Sequence, residues 1–240
     1  MEDNFASKFE KDMKTKVIAL GDSLTKGVVF TEDNRYSLLD GSYMNIISDE
    51  LDLYVENFGK FGATVSSADS MIDKHSDSIS SSDYIFLEYG GNDCDFDWAK
   101  IAQTPDSAHS PKTALESFVS RFHSLIDKVK ELGSKPVIVS LPPILPQKYF
   151  DFFTSRMDPQ QKSNVLEWLG GSVDIIARWH ESYNRALFMI AKQKQIDIID
   201  ITTPFDIYRG DVAALYCSDG IHPNAAGHKF IADSIVNAHL

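Results

Sequence analysis

The sequence predicts a three-layer α/β fold built on a five-stranded parallel sheet, and three observations carry that prediction. Five short runs are almost continuously apolar and rich in β-branched residues, amphipathic helical patterns lie between them, and nothing in the 240 residues marks a composition break, repeat or linker. Near-continuous apolar strands suit a parallel sheet covered on both faces, whereas half-exposed antiparallel strands would alternate. The chain therefore reads as one domain, residues 1–240.

The strand candidates, in order, are Lys16 to Leu20, Leu53 to Asn57, Tyr84 to Tyr89, Pro136 to Leu141 and Ile196 to Ile201. Between the third and fourth, Leu115, Phe118, Val119, Phe122, Leu125, Ile126 and Val129 recur at steps of three and four, and Gly133 follows as a stop signal. A second helical pattern runs from about Val173 to Gln193, and a third begins after Pro223 and reaches toward Val236. Strands alternating with helices give right-handed βαβ crossovers, which place helices on both sheet faces. One segment breaks the rhythm. After Leu141 come three prolines and then Tyr149, Phe150, Phe152, Phe153, Met157 and Trp168, an aromatic insertion over about residues 146–170 that is longer than an ordinary connection. It reads either as a lid or acyl-binding wall, or as a subdomain packed on the body or on another subunit.

Composition excludes several function classes. Apolar residues make up 43 % and charged residues 24 %, values ordinary for a globular protein with a sizeable core, so disorder is excluded. A net charge of -12 without any Lys/Arg stripe argues against nucleic acid and anionic membrane surfaces. Met1 to Thr15 lacks the apolar core of a secretion signal, and no apolar run is long enough to span a bilayer, so the expected location is cytoplasmic. Two cysteines, Cys94 and Cys217, are too few for a disulfide framework. Both fall beside motifs described next, which invites the expectation that they approach each other.

The first strand runs into Gly21, Asp22, Ser23 and Leu24, so Ser23 is expected at the carboxyl end of the sheet, where open α/β sheets bind ligands. A serine hydroxyl needs a base and oxyanion donors to become a nucleophile. The best base is His222, within Asp219-Gly220-Ile221-His222-Pro223. With Asp219 three residues earlier, one tight turn can bring its carboxylate to Nδ1 while Nε2 faces the serine. Taken alone, that segment is equally compatible with a capped helix start. The other six histidines have ordinary contexts; His180 belongs to an amphipathic face.

Tyr89-Gly90-Gly91-Asn92-Asp93 follows the third strand and delivers Asn92 to the same rim, and Gly62, after the second strand, can offer a main-chain N–H. The glycines match neither a dinucleotide fingerprint nor a P-loop, and Ser23 lacks the glycine two residues later that an α/β-hydrolase elbow requires. With no HExxH or CxxC, no metal or organic cofactor is expected.

The order serine, glycine, asparagine, then Asp-x-x-His resembles the SGNH hydrolases, also called the GDSL esterase/lipase family. The four blocks are Gly21-Asp22-Ser23-Leu24, Asn57-x-Gly59-x-x-Gly62-x-Thr64, Gly90-Gly91-Asn92-Asp93 and Asp219-x-x-His222-Pro223. The resemblance implies a flavodoxin-like sandwich, Ser23 as nucleophile, His222 as base and then acid, and Asp219 as its orienter. It also implies an oxyanion hole made of the Ser23 and Gly62 N–H groups and the Asn92 amide. Asp22 and Asp93 read as braces for the loops. The expected activity is hydrolysis of carboxylic esters through an acyl-enzyme, with an acetyl or short acyl group preferred and a small molecule or carbohydrate as carrier. Lysophospholipase or thioesterase action on longer chains is the alternative, and an acyltransferase is a further one. A non-catalytic binding protein is disfavoured because Ser23, Asn92, Asp219 and His222 are all present. If the chain forms a homo-oligomer, the aromatic segment is the expected contact.

Overall fold

The computed structural model describes residues 14–238. His239 and most of the N-terminal stretch from Met1 to Thr15 lie outside the described residues. The chain enters through β1 (Lys16–Gly21), turns at Asp22 into the short helix α1 (Ser23–Lys26), and forms a small antiparallel hairpin of β2 (Val28–Phe30) and β3 (Tyr36–Leu38). Helix α2 (Tyr43–Glu50) starts on its Ser42 cap and leads to β4 (Tyr54–Asn57). Helices α3 (Val65–Lys74) and α4 (Ser76–Ser80) return the chain to β5 (Tyr84–Glu88). Then come α5 (Trp98–Gln103), α6 (Leu115–Glu131) and β6 (Lys135–Val139). The aromatic segment folds as α7 (Pro146–Phe153) and α8 (Pro159–Trp168), and is followed by α9 (Asp174–Lys194), β7 (Ile198–Ile199), α10 (Thr203–Ile207), a 3-10 turn at Val212–Leu215 and α11 (Ala225–Asn237).

Five strands pair in parallel in the order β4-β1-β5-β6-β7. Alternate residues of each strand serve opposite layers, because successive side chains of a strand point to opposite faces. Ile18 and Leu20 join Ile85, Leu87 and Ile138 beneath α3, α6 and α9, while Val17, Ala19, Phe86, Val137 and Val139 pack against α2 and α11. This is why the runs look continuously apolar: both parities are buried. The chain order reverses between β1 and β5, so the carboxyl ends of these two strands flank the switch point at which such sheets bind ligands.

The strands are shorter than their apolar runs. Pairing of the last strand is confined to Ile198 and Ile199, and the fourth ends at Val139, after which the Leu141 N–H bonds to the Asn184 side chain instead of a neighbouring strand. The hairpin β2–β3 has no counterpart among the sequence-predicted strands because each of its strands is three residues long and β3 is exposed throughout.

The aromatic segment packs on the body. Its helices begin at prolines, and α8 is fixed by a reciprocal cap between Asp158 and Gln161. With α5 and the start of α9 they enclose a third apolar cluster, in which Trp98 stacks on Phe153 at 4.5 Å. Among the described residues, no helix is long and apolar enough to cross a membrane.

Candidate active site

Gly21 ends β1 where a Cβ would collide with the Thr25 side chain and the Glu88 carbonyl, so only glycine lets the chain turn so tightly there. Asp22 caps α1 by accepting from the Leu24 N–H at 2.8 Å, which sets Ser23 as the first helical residue on the rim. A residue 199 positions later meets it: His222 Nε2 lies 2.9 Å from Ser23 Oγ. His222 Nδ1 lies 2.6 Å from Asp219 Oδ2, and Asp219 Oδ1 accepts from the main-chain N–H groups of Ile221 and His222 at 3.2 and 3.1 Å. Asp219 is fully buried and His222 nearly so. The i,i+3 turn expected from the sequence is present, and the Leu145 N–H bonds to the Gly220 carbonyl, stapling the turn to the segment after β6.

The remaining sequence-selected residues gather around this chain of contacts. Asn92 Nδ2 donates to Asp22 Oδ2 at 2.9 Å. The amide orientation is forced, since its oxygen would otherwise face a carboxylate. Gly62 adopts φ +72 with open space where a side chain would be, and it lines the same cavity as Ser23 and Asn92. Asp93 is buried and accepts from the Val65 N–H with both oxygens at 3.1 Å, tying the Asn92 turn to α3; burial pushes its carboxyl up to about 6. The second block is braced to the first, with Asn57 Nδ2 on the Thr25 carbonyl at 2.6 Å. Segments distant in sequence are thus joined by side-chain to main-chain bonds.

Cys94 and Cys217 are buried and free, so no disulfide joins them. Cys94 Sγ bonds to the Gly91 carbonyl at 3.2 Å, and Cys217 Sγ accepts from the Phe30 N–H at 3.4 Å, so each steadies a different wall of the site. Burial pushes both thiols up, which keeps them protonated and unreactive.

Two groups were not singled out in the sequence. The hairpin carries Tyr36 to 5.4 Å from the His222 ring, edge-on, and Phe61 stacks on the same imidazole with centroids 6.2 Å apart. These rings screen the imidazole although Phe61 itself is 48 % exposed. Beneath the site lies Glu88, a strand residue whose burial no local pattern foretold. Its Oε2 accepts from Thr25 Oγ1 at 2.9 Å and faces the Asp22 N–H at 3.4 Å.

Glu88 and Asp22 form a buried carboxyl pair. Asp22 is the better served by donors, with the Leu24 N–H and Asn92 on its oxygens, so it holds the negative charge and Glu88 holds a proton. Burial, and then the Asp22 charge, push the Glu88 carboxyl well above its ordinary value. The folded protein therefore keeps a proton that the unfolded chain releases above about pH 4.5, the ordinary glutamate value. This contribution to stability is full below that pH and is lost as pH climbs toward the folded value. A Glu88→Gln variant, which still donates to Asp22, escapes this loss. Its unfolding free energy relative to the parent is expected to rise between about pH 5 and pH 8, by about 1.36 kcal/mol per pH unit for as long as Glu88 stays protonated in the folded protein. Urea titrations at the two pH values check this, and an unchanged gap would refute the protonated state.

Ser23, His222, Gly62 and Asn92 open into a cavity of about 580 Å³ whose far wall is the aromatic cluster of α5, α7 and α8. A model of the GDSL-like lipase/acylhydrolase family matches residues 19–230 of the chain. Among solved structures, the chain is similar to a lipase/acylhydrolase from Enterococcus faecalis, with 15 % identity, 93 % of this chain and 94 % of that one covered, and a TM-score of 0.63. It is also similar to LAE5, an alpha/beta hydrolase from the metagenome of Lake Arreo, Spain, with 19 % identity, 94 % of each chain and a TM-score of 0.63. A catalytic mutant of an acetylxylan esterase from Geobacillus stearothermophilus matches at 18 % identity over 95 % of this chain and 96 % of that one, with a TM-score of 0.62. At such identities the likeness is one of fold. No curated protein matches the chain.

Proposed function

The chain belongs to the GDSL-like lipase/acylhydrolase family, matched over residues 19–230, and on that premise we propose that it hydrolyses carboxylic esters with Ser23 as nucleophile. The observation that carries the assignment is the continuous chain of contacts from buried Asp219 through His222 to Ser23 Oγ, at 2.6 and 2.9 Å. In this reading Ser23 Oγ attacks the ester carbonyl carbon as its proton passes to His222 Nε2, and Asp219 steadies the imidazolium. The oxyanion collapses, the bond to the alcohol oxygen breaks, and that oxygen takes the proton from His222. Water then attacks the acyl-serine, giving its proton to His222. The second oxyanion collapses to the carboxylic acid, and Ser23 recovers its proton.

The Ser23 and Gly62 N–H groups and the Asn92 amide are the proposed oxyanion donors. One amide hydrogen of Asn92 is held by Asp22, which aims the group and leaves the second hydrogen for the oxyanion. Asn92→Ala is expected to lower kcat by roughly 10²–10³ with a smaller change in KM, because the developing charge is stabilised more than the ground-state carbonyl. Steady-state kinetics check it; an unaltered kcat would remove Asn92 from the donor set.

Small-molecule or carbohydrate esters are the proposed substrate class. The cavity of about 580 Å³ is far larger than an acetyl group, which favours a longer acyl chain over the acetyl preference drawn from sequence. Reaction with a fluorophosphonate probe tests the nucleophile directly: adduct at Ser23 is expected, and absence of labelling in a protein that hydrolyses esters would assign the chemistry elsewhere.

A further inference from the structure

The cavity wall is apolar, already packed, and short of free polar groups. Phe96, Trp98, Tyr149, Phe153, Trp168 and Ile176 line it, held against one another by contacts such as Phe96 on Trp168 at 5.0 Å and Trp98 on Phe153 at 4.5 Å. The buried polar atoms around them are spent locally. Asp95 Oδ1 takes the Trp98 indole N–H and the Tyr149 hydroxyl at 2.9 and 2.7 Å, and its Oδ2 takes Lys112 at 2.9 Å. The Trp179 N–H is bound to the Cys94 carbonyl at 3.0 Å. A polyol placed here would leave hydroxyls unpaired, a cost that an alkyl chain does not carry. Filling each carbon at about the 30 Å³ of a water, a chain of about six to ten carbons takes about 180–300 Å³, which leaves room in the cavity for a leaving group.

Among the buried side chains of the lining, one polar group is the exception. His180, one turn beyond Ile176 on α9, is only 7 % exposed, lines the cavity, and makes no hydrogen bond or ion pair among the described residues. Burial lowers its pKa to about 4, so at neutral pH it is an uncharged imidazole carrying one donor and one acceptor. His228, the other buried histidine outside the proposed triad, differs: its Nδ1 accepts from the Tyr43 N–H at 3.2 Å and its unpaired Nε2 is sealed from solvent and from the cavity. A polar group facing an apolar cavity is costly to cover unless the ligand that displaces water from it also pairs it.

We infer that this cavity is the site of a medium-length apolar acyl group, about six to ten carbons, that carries a hydroxyl or carbonyl away from the ester, and that His180 is the specificity residue which receives that group. The inference rests on Ser23 as nucleophile only for where the ester carbonyl sits.

Its test is kcat/KM on p-nitrophenyl acetate, octanoate and omega-hydroxyoctanoate. Octanoate is expected to exceed acetate by about tenfold or more, as buried methylenes add binding, and the hydroxylated chain to exceed plain octanoate by about fivefold. His180→Leu is expected to abolish the second preference and keep the first, whereas His180→Gln, which retains a donor and an acceptor, keeps both. A best rate on acetate overturns the acyl site, and a hydroxyl preference unchanged in His180→Leu overturns the role of His180. Should His180→Leu fail to fold, the parent's own preference and His180→Gln decide. Tryptophan fluorescence of Ser23→Ala titrated with octanoate, omega-hydroxyoctanoate and acetate separates the two readings. Tighter binding of the hydroxylated chain, alongside a parent protein that turns over no ester, would sink the nucleophile and keep the acyl site; no binding above acetate would sink the site itself.

Discussion

Replacing Ser23 with alanine is expected to lower kcat toward p-nitrophenyl esters by on the order of 10⁶, the scale set by loss of the serine in subtilisin. KM should move little, because the hydroxyl contributes to bond making and not to holding the acyl chain. The fold should be untouched: the Asp22 cap uses the Leu24 N–H, and the main-chain N–H of residue 23 survives the change. What disappears is the atom 2.9 Å from His222 Nε2. Kinetics on the purified variant, with a melting curve to show that it is folded, provide the check. Hydrolysis at the parental rate would mean that another group attacks the ester.

Asp219→Asn is expected to cost on the order of 10⁴ in kcat, and the geometry says why so near an isostere should be so damaging. Asp219 Oδ1 accepts two main-chain N–H groups, from Ile221 and His222, while Oδ2 faces His222 Nδ1 at 2.6 Å. An asparagine satisfies the two main-chain donors only with its oxygen, which turns its NH₂ toward Nδ1. The imidazole must then carry its proton on Nε2, so it donates to Ser23 Oγ instead of accepting from it. The base is lost through the wrong tautomer while the pocket keeps its shape. A rate within about tenfold of the parent would show that Asp219 does not set the tautomer of His222.

These two variants involve residues legible in the sequence, and the reason is local. Asp219 and His222 meet across a single turn, and Ser23 and Asn92 each sit a few residues past a strand whose apolar run is plain to read. The sheet was equally readable, since strands buried on both faces leave no polar alternation. Other parts were hidden for stated reasons. β2 and β3 are too short and exposed to show a period, so the Tyr36 screen over His222 had no local signal. Glu88 lies inside an apolar strand, and its pairing with Asp22 and Thr25 joins residues 66 and 63 positions apart. His180 reads in the sequence as one more member of an amphipathic face; its lack of a partner becomes visible only when α7, α8 and α9 are packed together.

By itself the sequence determined the parallel sheet, the helices that flank it and which residues gather at its rim, because each depends on short-range periodicity or on residues a few positions apart. Only the tertiary structure decided the order β4-β1-β5-β6-β7, the proton held between Glu88 and Asp22, and the aromatic cavity with His180 in its wall. Those features arise where segments far apart in the chain exclude water from one another, and burial of that kind is set by packing that no local pattern encodes.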